Sequence, residues 1–360
     1  MKNIDIKINK NVMKVFITGN MGYVGSTLTK YLKKTYPEIQ LIGYDTGFFG
    51  HLLTGTDFIP EKTITTQYFG DVRDISQSML NGVDAIVHLA GVSNDPIGKE
   101  FEDVTQDINR HASIRLAKLA IKNGVKNFVF ASSCSMYGQA QGAAKKESDK
   151  TNPLTAYAHS KIGTEEDIKN IKLGDMNFTS LRFATACGWS DRLRLDLVLN
   201  DFVACAISSG KITVLSDGTP WRPLIDVEDM SRAIAWAITR KKNNGGQYLA
   251  INAGKSSSNY QVKEIAETVV SIIPKTKISI NKDALPDKRS YSVDFSMFEK
   301  LAPDFQPIIS LEKSINRLKE GLLKLNFNDK EFRNSSLIRL NILRNYLKNN
   351  MVDKNLRWKV

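Results

Sequence analysis

The chain has 360 residues, 42% of them hydrophobic and 9% aromatic, which is enough apolar material for a packed core and a length that suits two domains or one elaborated α/β unit. Three widely spaced cysteines (Cys134, Cys187, Cys205) and four scattered histidines make neither a disulfide framework nor a metal-ligand set, and no apolar run reaches the length of a membrane span, so a metal site, a membrane role and an oxidising compartment are not expected and a cytoplasmic location is. The net charge is +12, but residues 1–14 (four Lys, one Asp) and 326–360 (eight Lys/Arg, three Asp/Glu) hold most of the excess; without Gly/Arg-rich or aromatic-interleaved basic tracts, this pattern points away from nucleic acid and suits a diphosphate substrate.

Residues 1–12 are polar and rich in Lys and Asn and read as a flexible extension. The run Val12-Met13-Lys14-Val15-Phe16-Ile17-Thr18 predicts a first strand. Gly19-Asn20-Met21-Gly22-Tyr23-Val24-Gly25 follows, then a helix through Leu28 and Leu32. Strand, Gly-x-x-Gly-x-x-Gly, helix is the setting in which glycines let backbone approach a pyrophosphate and a helix N-terminus faces the phosphates. The second strand, Gln40 to Tyr44, ends in Asp45, 20 residues past Gly25. A carboxylate there accepts hydrogen bonds from ribose hydroxyls and repels a 2′-phosphate. The next ten residues contain no Arg or Lys, which favours NAD over NADP.

A third β-rich run ends in Gly70-Asp71-Val72, where Asp71 by itself reads as a helix N-cap. Asp84 to Gly91 predicts a fourth strand, and His88 inside its apolar run reads as a core histidine. Ile108, Ala112, Leu116 and Leu119 have helical spacing within 100–123. Phe128-Val129-Phe130 reads as a buried parallel strand, so Ser133 falls at its carboxyl end, where open α/β sheets bind ligands. The helix predicted over 155–171 carries Tyr157 and Lys161, four apart and on one face. A Tyr hydroxyl titrates near ~10. A cation one turn away favours the phenolate and lowers that pKa, which fits Tyr157 to exchange a proton with an alcohol or ketone. Strands are further read at 178–183, 211–215, 221–227 and 249–254, and helices at 228–240, 260–273 and 311–325. After Asn326, Leu337, Leu340, Leu343 and Leu347 come near helical spacing and suggest a docking helix.

The glycine turn, the serine behind the fifth strand and Tyr-x-x-x-Lys, in that order, resemble the extended short-chain dehydrogenase/reductase family in its nucleotide-sugar branch, over about residues 13–325. The resemblance implies an α/β chain: a Rossmann doubly wound parallel sheet with a smaller C-terminal α/β substrate-binding domain. On that plan residues 13–183 form the NAD-binding domain, completed by about 224–253. Residues 184–223 and 254–325 form the nucleotide-sugar-binding domain, and 326–360 a basic helical tail. The implied cofactor is NAD, held by Gly19, Met21, Gly22, Tyr23, Val24, Gly25, Asp45, Asp71, Val72, Leu89, Ala90, Gly91 and Lys161, with Asp71 at the adenine amino group. Ser133, Tyr157 and Lys161 are the implied catalytic set. The implied partner is a nucleotide-diphosphate sugar, contacted by Ser93, Ser135, Thr185, Asn200, Arg222 and Arg289, with the two arginines on the diphosphate. Arg289 belongs to Asp287-Lys288-Arg289-Ser290-Tyr291, which resembles the family's Asp-x-Arg-x-Tyr. A homodimer through helices 100–123 and 155–171 is also implied.

Two departures from the family bear on the reaction. Cys134 and Ser135 stand where sugar 4,6-dehydratases have an Asp-Glu pair, so dehydration is disfavoured. Thr185 stands where a substrate-contacting Asn is usual, and residues 182–202 look like a bacterial subgroup that modifies nucleotide sugars, heptoses included, for surface polysaccharides. The expected reaction is hydride transfer at the sugar C4, with 4-epimerase as the default and 4-dehydrogenase or 4-ketoreductase as alternatives. A non-catalytic dinucleotide-binding regulator is the reading from another class; such proteins usually lose the Tyr or the Lys, and both are present.

Overall fold

A computed structural model describes residues 12–93, 95–140, 142–281 and 289–359. The extension expected over residues 1–12 therefore lies outside the described residues except for Val12. The strands in chain order are β1 (Lys14–Thr18), β2 (Gln40–Asp45), β3 (Thr66–Phe69), β4 (Ala85–His88), β5 (Asn127–Ser133), β6 (Asn177–Phe183), β7 (Thr185–Cys187), β8 (Lys211–Val214), β9 (Trp221–Asp226), β10 (Tyr248–Ala253), β11 (Asn259–Gln261) and β12 (Lys277–Ile280). Seven of them make one sheet in the order β3-β2-β1-β4-β5-β6-β10, every pair parallel. The chain builds outward from β1 in one direction, returns, and builds outward again from β4. The β1/β4 border is thus the topological switch point, where a doubly wound sheet binds its ligand.

Both faces of the sheet are buried, and alternate residues serve opposite cores. Val15 and Ile17 face a core with Leu28, Leu32, Val129 and Ile234. Phe16 faces the other core, with Ile86, Phe128, Leu116 and Ile168. On that second face Phe128 stacks on Phe178 at 5.7 Å and Phe178 on Tyr248 at 5.4 Å between ring centroids. His88 belongs to this core, as its apolar surroundings in the chain suggested. Its ring nitrogens lie 2.7 Å from the Thr18 and the Ser113 hydroxyls, and burial, with Lys161 nearby, pushes its pKa down to about 3. A third core joins β8 and β12 to the helices Val198–Ser208, Val262–Ile272 and Leu311–Lys324.

The segment expected as one helix within 100–123 is broken into Glu102–Gln106, a π-helical turn Asp107–His111, and Ala112–Lys122. The bulge places Asn109 so that its amide accepts from Val92 N at 2.7 Å and donates to Val92 O at 2.9 Å and to the Ser160 hydroxyl at 3.1 Å. Single π turns of this kind recur where a side chain has to be aimed.

Residues beyond 326 return to the body. The helix Arg339–Lys348 sends Ile342, Leu343 and Tyr346 into the second core. Trp358 packs on Phe48 and Tyr346 at 5.1 and 4.9 Å and donates its indole N–H to Thr46 O at 2.7 Å. Arg333, Arg344 and Arg357 pair with Asp201, Glu100 and Asp74. Much of the tail's positive charge is therefore set against acids of the body. Among the described residues, no helix is long and apolar enough to cross a membrane, and no cluster of His, Cys, Asp or Glu suits a metal ion.

Candidate functional site

One cleft of about 1020 Å³ runs past the carboxyl ends of β1, β2, β4, β5 and β6. The glycine turn forms one wall. Gly19 has φ +74°, and a Cβ there would sit 2.7 Å from Ala90 N; a Cβ on Gly25 would sit 2.3 Å from Gly19 O. Neither position admits a side chain without moving backbone. Gly22 caps the helix Tyr23–Thr35 with no side-chain hydrogen bond, and Gly22, Tyr23, Val24 and Gly25 all line the cleft. The turn thus offers a bare, positively polarised helix end, as an anionic diphosphate requires. Asp45 lies at the end of β2, its Oδ2 accepting from Met21 N at 3.0 Å and its Oδ1 from Gly47 N at 2.8 Å. Burial raises its pKa against those two bonds. Met21 is outside the lining and serves through its backbone N–H. The Tyr23 hydroxyl donates to Gly188 O at 2.7 Å and ties the turn to the segment after β7.

Asp71, Val72, Leu89, Ala90 and Gly91 also line the cleft. Asp71 is more engaged than a free adenine acceptor. It caps the 3-10 turn Val72–Asp74 by accepting from Arg73 N at 2.8 Å, and it pairs with the Arg73 guanidinium at 2.6 Å. Burial raises its pKa, but the two bonds from Arg73 outweigh burial and hold it below the usual carboxylate range.

At the middle of the cleft β5 and the helix Ala156–Lys169 bring Ser133, Tyr157 and Lys161 together. Thr155 caps that helix by accepting from Ala158 N at 3.2 Å. The Ser133 hydroxyl lies beside that of Tyr157 and accepts from Ser135 N at 3.1 Å. Lys161 Nζ lies 4.7 Å from the Phe130 ring centroid and 5.6 Å from that of Tyr157. The electrostatics correct the expectation of a lowered Tyr pKa. Burial pushes Tyr157 up to about 12, opposed by the Ser133 hydrogen bond and by Arg194 rather than by Lys161. Burial likewise pushes Lys161 down to about 8, against the pull of Glu165. Without a ligand, desolvation dominates the site.

Ser93, Ser135, Thr185, Arg222 and Arg289 line the remaining stretch. The Ser93 hydroxyl accepts from Arg194 Nη1 at 3.0 Å. The hydroxyls of Ser135 and of its neighbour Ser132 are buried without a hydrogen-bond partner among the described residues. Arg222 Nη1 donates to Trp221 O at 2.8 Å, and Arg289 Nη1 pairs with Asp95 at 2.9 Å. Asp287 and Lys288 of the arginine motif lie outside the described residues. Asn200 departs from the expected substrate contact. It is fully buried outside the lining, and its amide accepts from Gly188 N at 3.0 Å and donates to Arg194 O at 2.8 Å. The side chain is committed to holding the segment that carries Arg194. Cys134 is buried, its thiol pKa raised by burial, in keeping with a packing role.

Several lining residues had no assigned role in the sequence. Arg194 pairs with Asp196 through two 2.9 Å contacts and reaches Ser93, and Asp95 accepts from Thr155 at 2.7 Å. The charges Arg192, Arg194 and Asp196 inside an apolar run were the available signal. Arg339, Leu343 and Leu356 line the cleft from the tail, far from any motif.

The chain is similar to known proteins in sequence and in fold. The sequence profile of the NAD dependent epimerase/dehydratase family matches residues 15–254. A Bacillus subtilis protein described as an uncharacterized UDP-glucose epimerase, YtcB, is 28% identical over 265 residues, covering 71% of this chain and 82% of its own. A UDP-glucose 4-epimerase of Lactobacillus helveticus is 26% identical, covering 73% of this chain and 84% of its own. Among solved structures, MoeE5 in complex with UDP-glucuronic acid and NAD superposes with a TM-score of 0.73 at 21% identity, over 87% of this chain and 99% of its own. TunA, an NAD-dependent NDP-hexosamine 5,6-dehydratase, gives 0.74 at 19% identity, over 89% and 99%.

Proposed function

This chain belongs to the NAD dependent epimerase/dehydratase family, and we propose that within it the protein is a nucleotide-sugar 4-epimerase acting on an NDP-hexose or NDP-heptose. The observation that carries the proposal is the order of groups along one cleft: glycine turn and Asp45, then Ser133, Tyr157 and Lys161, then Arg222 and Arg289. That order matches a dinucleotide meeting a nucleotide sugar end to end. The cleft fits the dinucleotide on its own chemistry, with a bare helix end beside a half-buried carboxylate that lines the cleft and can accept from ribose hydroxyls.

When bound, NAD supplies the hydride acceptor and donor. The protein's share is orientation and proton handling. Tyr157 takes the proton from the sugar C4 hydroxyl and returns it to the same oxygen. Ser133, beside Tyr157, shares that oxygen and steadies its developing charge. Lys161 holds the nicotinamide ribose. Arg194 opposes the burial that otherwise keeps Tyr157 protonated. Arg222 and Arg289 fix the diphosphate away from the reacting carbon. Ser132 and Ser135 add to the cleft lining hydroxyls that have no hydrogen-bond partner among the described residues. Dehydration is disfavoured because Cys134 and Ser135 supply no carboxylate, and Asp95 and Asp196, which line the cleft, are paired with Arg289 and Arg194. A homodimer through the helices Ala112–Lys122 and Ala156–Lys169 accompanies the reading and is checked by light scattering.

The test is a panel of UDP-, GDP- and dTDP-sugars, followed by mass spectrometry and by absorbance of the reduced cofactor. An isomer of equal mass without net NADH supports the epimerase. Stoichiometric NADH with a product lighter by two hydrogens replaces it with the 4-dehydrogenase, and consumption of NADH with a 4-ketosugar replaces it with the ketoreductase. Bound NAD with no turnover on any sugar favours a non-catalytic binder.

A further inference from the structure

Five arginines are buried in this chain: Arg182, Arg192, Arg194, Arg240 and Arg339. Four are satisfied. Arg182, Arg192 and Arg194 pair with Glu165, Glu61 and Asp196. Arg240 donates to the Thr179 hydroxyl and to four backbone carbonyls. Arg339 differs. It is 2% exposed, its Nη2 donates to Arg192 O at 2.9 Å, and its Nη1 is buried with no hydrogen-bond partner. Its guanidinium lies 4.6 Å from the Phe49 ring centroid. No described carboxylate forms an ion pair with it, and burial, reinforced by Arg194, lowers its pKa to about 9.

A buried cation with an idle donor and no counter-charge is expensive, and such groups are found paired or holding an anion. Arg339 borders the cleft, so an anion can reach it. It packs on Phe49 in the loop that follows Asp45, and Arg192, whose carbonyl it bonds, reaches Gly50 O beside Met21 of the glycine turn and leads directly to Arg194 and Asp196. Asp45 marks the adenosine-ribose end, and Asp196, through Arg194 and Ser93, marks the end where Tyr157 works. Between those two ends a dinucleotide carries its bridging diphosphate. The diphosphate of the nucleotide sugar belongs farther on, with Arg222 and Arg289.

We propose that Arg339, delivered by the C-terminal segment, binds the bridging diphosphate of the dinucleotide and completes a phosphate site whose other half is the backbone of the Gly19–Gly25 turn. The proposal rests on the dinucleotide reading of the cleft. Its consequence is that the tail docks most firmly when the cofactor is in place, with Trp358 and Leu356 closing behind it. A cofactor retained from one turnover to the next is what an epimerase needs, because it regenerates NAD within each cycle.

The experiment uses the full-length chain as wild type, Arg339→Met and Arg339→Gln, each stripped of nucleotide. Three quantities are read: NAD affinity by calorimetry, UDP affinity of the NAD-loaded protein, and the thermal midpoint without ligand. Both variants are expected to bind NAD about tenfold to a hundredfold more weakly, the range of one charge-assisted hydrogen-bond set, with UDP affinity unchanged. The ligand-free midpoint should not fall, because the substitution removes an unpaired buried charge. NAD affinity within about twofold of wild type in both variants overturns the proposal. A loss of UDP affinity with NAD binding intact assigns Arg339 to the sugar nucleotide and overturns it as well. Variants that melt earlier or fail to fold show a structural role and count against it. A wild type that does not bind NAD at all refutes the dinucleotide reading itself, a result distinct from each of these.

Discussion

Glu165 lies one turn after Lys161 on the helix Ala156–Lys169 and links the stability of the sheet to the chemistry of the site. Its carboxylate is buried. Oε1 accepts from the Ser180 hydroxyl at 2.7 Å, and Oε2 accepts from Arg182 Nη2 at 2.7 Å and Nε at 3.1 Å. Arg182 is buried as well. Burial disfavours its charge, but Glu165 outweighs burial and raises its pKa. Glu165→Gln keeps the shape and the Ser180 contact while leaving Arg182 without a counter-charge. Breaking a buried pair from one side costs about 3–5 kcal/mol. For a chain of this length that lowers the thermal midpoint by roughly 4–7 °C. The same change acts on Lys161, because Glu165 is the charge that opposes its downward shift to about 8 from 10.5. A depressed pKa means the folded state favours the neutral amine; that stability contribution is present above pH 10.5 and is lost as pH falls through 8. On the proposed mechanism turnover needs the ammonium, so wild-type activity should fall above about pH 8, and Glu165→Gln should bring that limb to lower pH. The assays are calorimetric melting and a pH–rate profile of kcat. Glu165→Leu combined with Arg182→Met should recover much of the lost stability, since it leaves no unpaired charge. A single variant that melts with wild type, or an alkaline limb that does not move, refutes the reasoning.

Tyr157→Phe should lower kcat by about 100- to 10,000-fold while NAD and UDP affinities stay near wild type, read by turnover assay and calorimetry. Arg222→Ala should raise KM for the nucleotide sugar by about tenfold or more with a smaller effect on kcat, and the salt dependence of KM should weaken. Gly25→Ala should lose bound NAD and melt early, because its Cβ would lie 2.3 Å from Gly19 O and 2.5 Å from Asn20 Cα; NAD content after gel filtration reports it. Burial raises the Asp229 pKa from 3.8 to about 6, so its contribution is full below 3.8 and lost as pH rises through 6; the stability of wild type relative to Asp229→Asn should decline across that window in denaturant titrations.

Local chemistry made part of the site legible. The turn at Gly19, Gly22 and Gly25 is constrained by backbone clearance that only glycine provides, so its purpose is written in the residues. Asp45 follows a buried strand at a set distance, and Tyr157 and Lys161 share a helix face by periodicity alone. The parallel sheet was readable because strands buried on both faces are nearly continuous apolar runs. Motif reasoning went astray where a side chain has two possible partners. Asn200 turned to Gly188 and Arg194, a choice made by neighbours that only the folded chain supplies, whereas Asp71 caps its turn as its position before Val72 suggested. The pKa of Tyr157 went the other way because spacing reveals a nearby cation but not the depth of burial.

The amino-acid sequence by itself determined the seven strands of the large sheet, the glycine turn and the helix face that Tyr157 and Lys161 share, because each depends on residues close together in the chain or on a short-period pattern; β7, β11, β12 and the helix Val198–Ser208 carried no such signal. Tertiary structure alone decided which charges meet: Arg182 with Glu165, Arg194 with Asp196 and Ser93, and the return of the tail to place Arg339, Leu343 and Leu356 on the cleft. Arg339 and Asp45 are almost the length of the chain apart, and no periodicity joins them. What returns Arg339 to the cleft is the burial of Ile342, Leu343 and Tyr346 in the second core, a packing outcome that exists only once the whole fold is formed.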